Sequence, residues 1–303
     1  MNIIKFEERY DKPLVLALGF FDCLHIGHKA LVDEAKTIAK NNGYETAVFT
    51  FENDINITFG TKERQIYTIN ERKVAFEDYG VENMIVATMD PLFASLSGNV
   101  FIDRLVRNFN IKCVIIGKDY RCGRNAEFGV NELKRAFLEK HVTLKVLPFV
   151  TKNGSKVAST KIKSFIKKGE IEMVNNLLTE NYFVCGKVEH AEGRGRYLGF
   201  PTANIPFEND RIRLAEGVYL TSVIVNNHNF YSITNIGKKP TFGNSDYSVE
   251  TFILNYNGDL YDKNIKLIFY KKIRDIIKFK NVPDLQAQIA RDILDAKTYF
   301  NIQ

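Results

Sequence analysis

The sequence predicts two domains of different class, an α/β unit built on a parallel sheet followed by an all-β unit with a terminal helix. Three observations carry this. Through the first half, apolar strand-like runs alternate with amphipathic helical segments, the mark of βαβ units. From Tyr182 to about Lys272 helical spacing gives way to short strands separated by turn residues, the pattern of an antiparallel sandwich or small barrel. The length, 303 residues, suits about two domains.

In chain order, the first-half strands are Leu14–Phe20, Glu45–Phe51, Met84–Thr88, Cys113–Gly117 and Thr143–Leu147. Helical patterns lie near 27–41, 70–79, 99–109 and 131–140, several closed by Gly43, Gly80 or Asn110. A short helical stretch from Thr160 to about Leu178 is broken at Gly169. Strands at 182–189, 217–226, 229–235, 249–255 and 265–272 follow, with turn signals such as Asn226-Asn227 and Asn257-Gly258 between them. A helix from Pro283 to about Tyr299 is expected to place Leu285, Ile289, Ile293 and Leu294 on one face. The boundary falls near 180, giving domains 1–180 and 181–303.

Composition narrows the class. With 45% hydrophobic and 26% charged residues the chain is not disordered as a whole. Its longest apolar runs, such as Leu14 to Phe21, are less than half of the roughly 20 residues that cross a bilayer. The N-terminus mixes charges of both signs without an apolar core, so no signal peptide is expected and a cytoplasmic protein is. Cysteines at 23, 113, 122 and 185 include no C-x-x-C pair, which argues against structural zinc and a disulfide framework.

The net charge of +6 raises a nucleic-acid partner, but its distribution argues against one. Residues 1–180 hold 26 Lys/Arg against 23 Asp/Glu, and residues 181–303 hold 16 against 13. One stretch stands apart: eight lysines and no acid lie between Lys140 and Gly169. Such a run is either a solvated face or a site for a small polyanion such as a nucleoside triphosphate, and charge alone does not choose.

Gly19-Phe20-Phe21-Asp22-Cys23-Leu24-His25-Ile26-Gly27-His28 follows an apolar strand and opens a helix. His25 and His28, three apart, can point to one side. Gly27 lets a phosphate approach the backbone, where free N–H groups at the helix start favour an anion. Two imidazoles there could stabilise charge developing on phosphorus. The segment resembles the G-x-F-D-x-x-H-x-G-H signature of nucleotidyltransferases. The resemblance implies nucleotide-binding roles for Gly19, Phe20, Asp22 and Gly27 and catalytic roles for His25 and His28. Ala158-Ser159-Thr160-Lys161-Ile162-Lys163 resembles the second signature of that superfamily, S-S-T-x-x-R, and lies within the lysine run. It implies phosphate contacts from Ser159, Thr160 and Lys163. Gly117-Lys118-Asp119-Tyr120-Arg121-Cys122-Gly123 is similar to the G-x-D-F-R-F-G segment of prokaryotic FAD synthetases, implying nucleotide-binding roles for Gly117, Asp119 and Arg121.

His190-Ala191-Glu192-Gly193-Arg194-Gly195-Arg196-Tyr197-Leu198-Gly199-Phe200-Pro201-Thr202-Ala203-Asn204 opens the second half. Its glycines and arginines suit a loop over phosphates. Thr202 and Asn204 alternate, so both project from one face of an extended segment, and their neutral oxygens can help hold Mg²⁺ beside phosphate oxygens. The string resembles the riboflavin kinase signature. Gly217-Val218-Tyr219, Asn235-Ile236-Gly237-Lys238-Lys239-Pro240-Thr241-Phe242 and Val249-Glu250-Thr251-Phe252-Ile253-Leu254 resemble further elements of that family in the same order. This implies nucleotide contacts from Gly193, Arg194, Gly195, Arg196 and Pro201, Mg²⁺ at Thr202 and Asn204, Glu250 as the base that takes the substrate hydroxyl proton, and Arg274 at the flavin.

Over residues 14–300 the chain therefore resembles the bifunctional riboflavin kinase/FAD synthetase family. The resemblance implies a Rossmann-like N-terminal nucleotidyltransferase domain and a C-terminal six-stranded antiparallel β-barrel with a terminal helix. The implied reactions are phosphorylation of riboflavin by ATP to FMN and adenylylation of FMN by a second ATP to FAD with release of pyrophosphate. Mg²⁺ is the implied cofactor, the partners are these small molecules with no nucleic acid or membrane, and no oligomeric state is implied. Departures concentrate in the first half: Cys23 for a glycine, Thr50-Phe51-Glu52-Asn53-Asp54-Ile55 for T-F-x-P-H-P, Cys122 for an aromatic residue, and Lys163 for an arginine. Lysine keeps the charge but not the bidentate geometry. In the second half Ala191 stands for a common glycine. The alternatives are a riboflavin kinase with a weakened first domain and a flavin-responsive nucleic-acid-binding regulator; the latter lacks a clear basic face with stacking aromatics.

Overall fold

The computed structural model describes residues 1–55, 60–61, 63–190, 199–207, 210–238 and 247–302. The chain divides into two compact units, Met1–Ser159 and Thr160–Gln303.

The first unit is a six-stranded sheet, parallel throughout, in the order β1-β4-β3-β2-β5-β6. Its strands are β1 (Asn2–Lys5), β2 (Tyr10–Leu18), β3 (Glu45–Phe51), β4 (Asn83–Ala87), β5 (Phe109–Gly117) and β6 (Thr143–Leu147). Five match the sequence reading; β1, four residues long, was not among them. Leu14 to Leu18 in β2 are all fully buried, as expected of a central strand covered on both faces. Helices α1 (Ile26–Asn42), α2 (Ile69–Asp78), α3 (Pro91–Ala94), α4 (Gly98–Asn108) and α5 (Val130–Glu139) connect them. Thr68 and Glu71 form a capping box at the start of α2. Gly43, at φ 68°, closes α1 in the left-handed conformation that glycine adopts without strain. Phe6 centres an aromatic cluster, its ring centroid 5.7 Å from that of Phe49, 5.5 Å from Phe93 and 5.8 Å from Phe101.

From β2 the chain winds one way through β3 to β4, then returns to place β5 on the other side of β2. The strand order therefore reverses between β2 and β5, and the crevice beyond their carboxyl ends is where such sheets take ligands. The loops 19–25 and 118–123 leave from those two ends. A two-stranded hairpin, β7 (Thr151–Lys152) and β8 (Ser155–Lys156), follows β6.

The second unit begins with α6 (Ser159–Lys168) and α7 (Ile171–Asn175). It then forms an antiparallel sheet in the order β10-β13-β12-β11-β14-β9. These strands are β9 (Phe183–Lys187), β10 (Thr202–Pro206), β11 (Gly217–Val225), β12 (His228–Lys238), β13 (Tyr247–Ile253) and β14 (Asn264–Arg274). The Glu189 N–H donates to the Asn204 carbonyl at 2.9 Å and brings the two edges together, closing a six-stranded barrel. β10 is the strand that the strand pattern alone did not number. Helix α8 (Val282–Phe300) packs on β12, where Phe300 stacks on Tyr231 with centroids 4.0 Å apart. Leu294, expected on the apolar face of this helix, is 64% exposed. Inside the barrel, Thr221 bonds both Ser232 (2.7 Å) and Thr234 (2.8 Å), and Thr234 bonds Thr251 (2.9 Å). All four of these residues are fully buried.

The division at Ser159/Thr160 lies some twenty residues before the expected 180. Hydrogen bonds give the reason. Ala215 donates to the Ile166 carbonyl, the Asn175 amide to the Phe269 carbonyl, and the Tyr182 N–H to Asn175 Oδ1. These tie the two helices to the barrel unit. Helical periodicity in the sequence grouped them instead with the α/β half.

Candidate active sites

In the first unit a cavity of about 830 Å³ opens at the switch point between β2 and β5. Gly19, Phe20, His25, Gly27 and His28 line it from the β2 side, Gly117, Asp119 and Arg121 from the β5 side, and Ser159 joins them. The two loops and Ser159 thus share one cavity.

His25 is the N-cap of α1, and its Nδ1 accepts the Gly27 and His28 backbone N–H groups at 3.1 Å each. A nitrogen that accepts carries no proton, so the His25 proton sits on Nε2. His28 is the reverse case. Its Nδ1 lies 2.6 Å from the Cys23 carbonyl, which can only accept, so Nδ1 is protonated and Nε2 carries the lone pair. The two rings stack with centroids 3.7 Å apart. Burial lowers both pKa values. For His25 burial is the largest cause, His28 and Lys156 add to it, and the value falls to about 2. His28 is lowered chiefly by burial. The pair is therefore neutral at pH 7, with one Nε2–H donor and one Nε2 that donates only after gaining a proton. Gly27 is small because of His25: a Cβ there would stand 3.0 Å from the ring Cε1.

Asp22 is buried just behind the cavity, and Ser159 Oγ donates to its Oδ1 at 2.6 Å. Arg121 donates from Nε to the Ala126 carbonyl at 2.8 Å, leaving the Nη groups as its free end. Burial, then Glu127, pushes the Cys122 thiol up to about 12, so it is a neutral packing group and no nucleophile. Arg72 on α2 was missed by motif reading. Fully buried, it donates to Thr50 Oγ1 (2.7 Å) and Gln65 Oε1 (3.1 Å), and Thr50 donates in turn to the Phe20 carbonyl. The divergent Thr50–Ile55 segment is thus anchored under the loop after β2.

Thr160 is exposed in the first turn of α6, and Lys163 is buried one turn on. Both belong to the second unit by contact.

In the second unit Pro201 and Thr202 line a cavity of about 390 Å³, with Thr251 and Tyr261 among its other walls. His190 stacks on Tyr261 with centroids 3.9 Å apart. The β-ladders place Glu250 directly opposite Asn204 on one neighbour and Asn235 on the other. Directly opposed residues share a face, so Asn204, Glu250 and Asn235 form a row across three strands. Thr202, two residues from Asn204, lies on that face as well. Asn235 stood in a quoted motif without a role, and only the register gives it one. Gly193, Arg194, Gly195 and Arg196, with Lys239 to Phe242, lie outside the described residues. Arg274 is held by α8. Its Nε and Nη2 bond both carboxylate oxygens of Asp292 on α8 at 2.6–3.1 Å, and Gln288 donates to the same carboxylate at 2.9 Å.

Comparison with known proteins matches these halves separately and together. A family model described as FAD synthetase matches residues 7–161, and one described as riboflavin kinase matches residues 178–300. The bifunctional riboflavin kinase/FMN adenylyltransferase of Bacillus subtilis (strain 168) is 33% identical over 293 residues, covering 95% of this chain and 92% of that protein. Its Escherichia coli (strain K12) counterpart is 28% identical, covering 95% and 93%. A crystal structure described as a macrolide-efflux protein from Streptococcus pneumoniae superposes with a TM-score of 0.87 at 26% identity, covering 98% of this chain and 99% of that one. No helix among the described residues is long and apolar enough to cross a membrane.

Proposed function

The chain belongs to the bifunctional riboflavin kinase/FMN adenylyltransferase family, and from that premise we propose how its residues divide the two reactions. In the first unit the FMN phosphate oxygen attacks the α-phosphorus of ATP. The α–β bridging bond breaks, and pyrophosphate leaves with the electron pair. The observation that carries this assignment is the opposed tautomers of two stacked histidines in the cavity. His25 donates Nε2–H without a change of charge, and its ring fixes the start of α1. His28 Nε2 gains a proton beside the phosphates and then donates, so positive charge appears where negative charge develops. Gly19, Phe20, Asp22, Gly27, Gly117, Asp119 and Arg121 form the nucleotide cradle, with Ser159 held by Asp22. By the resemblance Thr160 and Lys163 are also phosphate-binding residues, and 1–180 is the functional extent of this half.

In 181–303, Glu250 takes the proton of the riboflavin 5′-hydroxyl as it attacks the γ-phosphorus of ATP; the β–γ bridging bond breaks and ADP leaves with the electron pair. Asn204 and Asn235 flank the carboxylate and orient it. Thr202 and Asn204 offer neutral oxygens beside that carboxylate, a donor set that fits Mg²⁺, which favours oxygen ligands and retains waters. When bound, the ion screens phosphate charge. Pro201 shapes the nucleotide cavity, and Gly193, Arg194, Gly195 and Arg196 are the other nucleotide-binding residues of this half. Arg274 acts on the flavin through the position of α8, which it clamps. The substrates are small molecules, and the reaction belongs in the cytoplasm.

The test is to separate flavins after incubation with ATP and Mg²⁺. We expect His28→Ala to stop at FMN. We expect Glu250→Ala to make no FMN from riboflavin yet convert supplied FMN to FAD. Unchanged FMN production by Glu250→Ala would remove it as the base. FMN without FAD from the unaltered chain would leave only the kinase reading.

A further inference from the structure

The structure divides the acid-free lysine run. Lys140 pairs with Asp103 at 2.6 Å and Lys145 with Glu34 at 2.5 Å, so both are neutralised on the surface of the first unit. Lys156 is placed differently. At the end of β8, it is the only lysine among the described residues lining the cavity that holds His25, His28 and Ser159. Its ammonium stands 3.8 Å from the ring centroid of Phe149, another wall of that cavity. A second cation, Lys118 at the end of β5, stands 4.1 Å from the same centroid. The ring face attracts both ammoniums and keeps two positive charges together where isolated lysines would drift apart.

The ion partner of Lys156 is Asp119, and the two side chains are 43% and 55% exposed. A pair that open to water is weak. A polyphosphate brings several negative charges to the same ammonium and outcompetes one carboxylate. The chain also has reason to need the cation: Lys163 stands where the related signature has arginine, and Thr50–Ile55 lacks the related histidine.

Resting on the adenylyltransferase reading, we propose that Lys156 is a phosphate-binding residue of the first unit. It exchanges Asp119 for the polyphosphate of ATP and holds the pyrophosphate group as it departs. Lys118 on the same ring reinforces the charge.

The reverse reaction isolates this role, because only the adenylyltransferase half consumes pyrophosphate. Full-length protein is given FAD, Mg²⁺ and varied pyrophosphate, and FMN is measured. Lys156→Met is expected to raise the KM for pyrophosphate about 10-fold or more, the loss of one charge-assisted contact. Lys156→Arg, which keeps the charge, should stay within about threefold of the unaltered chain. Riboflavin phosphorylation by the same samples should be unchanged, which shows that the second unit is folded, and an unchanged KM for FAD shows that the first is. A Lys156→Met KM within about twofold of the unaltered chain overturns the proposal. So does an equal rise in Lys156→Arg and Lys156→Met, which would mean that shape matters and charge does not. If the unaltered chain makes no FMN from FAD and pyrophosphate, the adenylyltransferase reading itself fails, a result distinct from either.

Discussion

Acid should loosen the start of α1 through His25. In the folded chain its pKa is held down to about 2 by burial, His28 and Lys156, against about 6.5 in the unfolded chain. The unfolded state therefore binds more protons between those values. The stabilisation from keeping this imidazole neutral is fully present above about pH 6.5 and is lost as pH falls toward 2. At pH 5 the unfolded form is favoured by about 10^1.5, or about 30-fold, which is about 2 kcal/mol. The structural cause is visible in the cap: protonating Nδ1 removes the acceptor for the Gly27 and His28 N–H groups. Hydrogen exchange of peptides covering β2 and α1, corrected for intrinsic rates, reads this opening at pH 7.5 and 5. His25→Asn is the reference, because asparagine can cap a helix without titrating, and His28 is common to both proteins. The unaltered chain should lose about 30-fold more protection than His25→Asn over that interval. Equal losses, within about threefold, would refute the claim that the fold holds this ring neutral.

Two further outcomes follow from contacts. Gly27→Ala sets a Cβ 3.0 Å from the His25 ring, so the imidazole must shift by a few tenths of an ångström. FAD formation should fall about 10-fold or more while riboflavin phosphorylation persists, measured on one sample. Arg274→Ala leaves the Asp292 carboxylate, 3% exposed, without its guanidinium. This should cost about 3–5 kcal/mol, seen as earlier thermal unfolding and release of α8 to protease, with Arg274→Lys recovering only part because it cannot make the two-pronged contact.

Most of the sheet was legible because buried parallel strands are nearly pure apolar runs, as Leu14 to Leu18 are. β1 was not, since only Ile4 of its four residues is buried and charged residues follow it. β10 carries Thr, Asn and Pro in five residues, so its pairing with β13 and closure onto β9 come from tertiary context. Gly19, Phe20, His25, Gly27, His28, Gly117, Asp119, Arg121 and Ser159, which touch the cavity at the β2–β5 switch, all stand in the sequence motifs, because local spacing sets them. What spacing could not show was partnership. Arg274 finds its carboxylate eighteen positions on, Asn235 meets Glu250 only through register, and Arg72 in an ordinary polar stretch is fully buried. The choice between Lys156 and its seven neighbours in the lysine run needed the cavity wall.

The hydroxyl chain inside the barrel has a direction. Ser232, Thr221, Thr234 and Thr251 share three contacts, and each brings one proton. Three protons fill those contacts, and in a row that runs in one sense the fourth points beyond one end or the other. If the chain runs unbroken, all its protons lean the same way, and reversing one reverses the rest. Thr251 is the end that touches the cavity of about 390 Å³. A ligand atom that accepts or donates there selects the sense of the whole row, carrying its polarity through Thr234 on β12 and Thr221 on β11 back to Ser232 on β12 without moving the backbone.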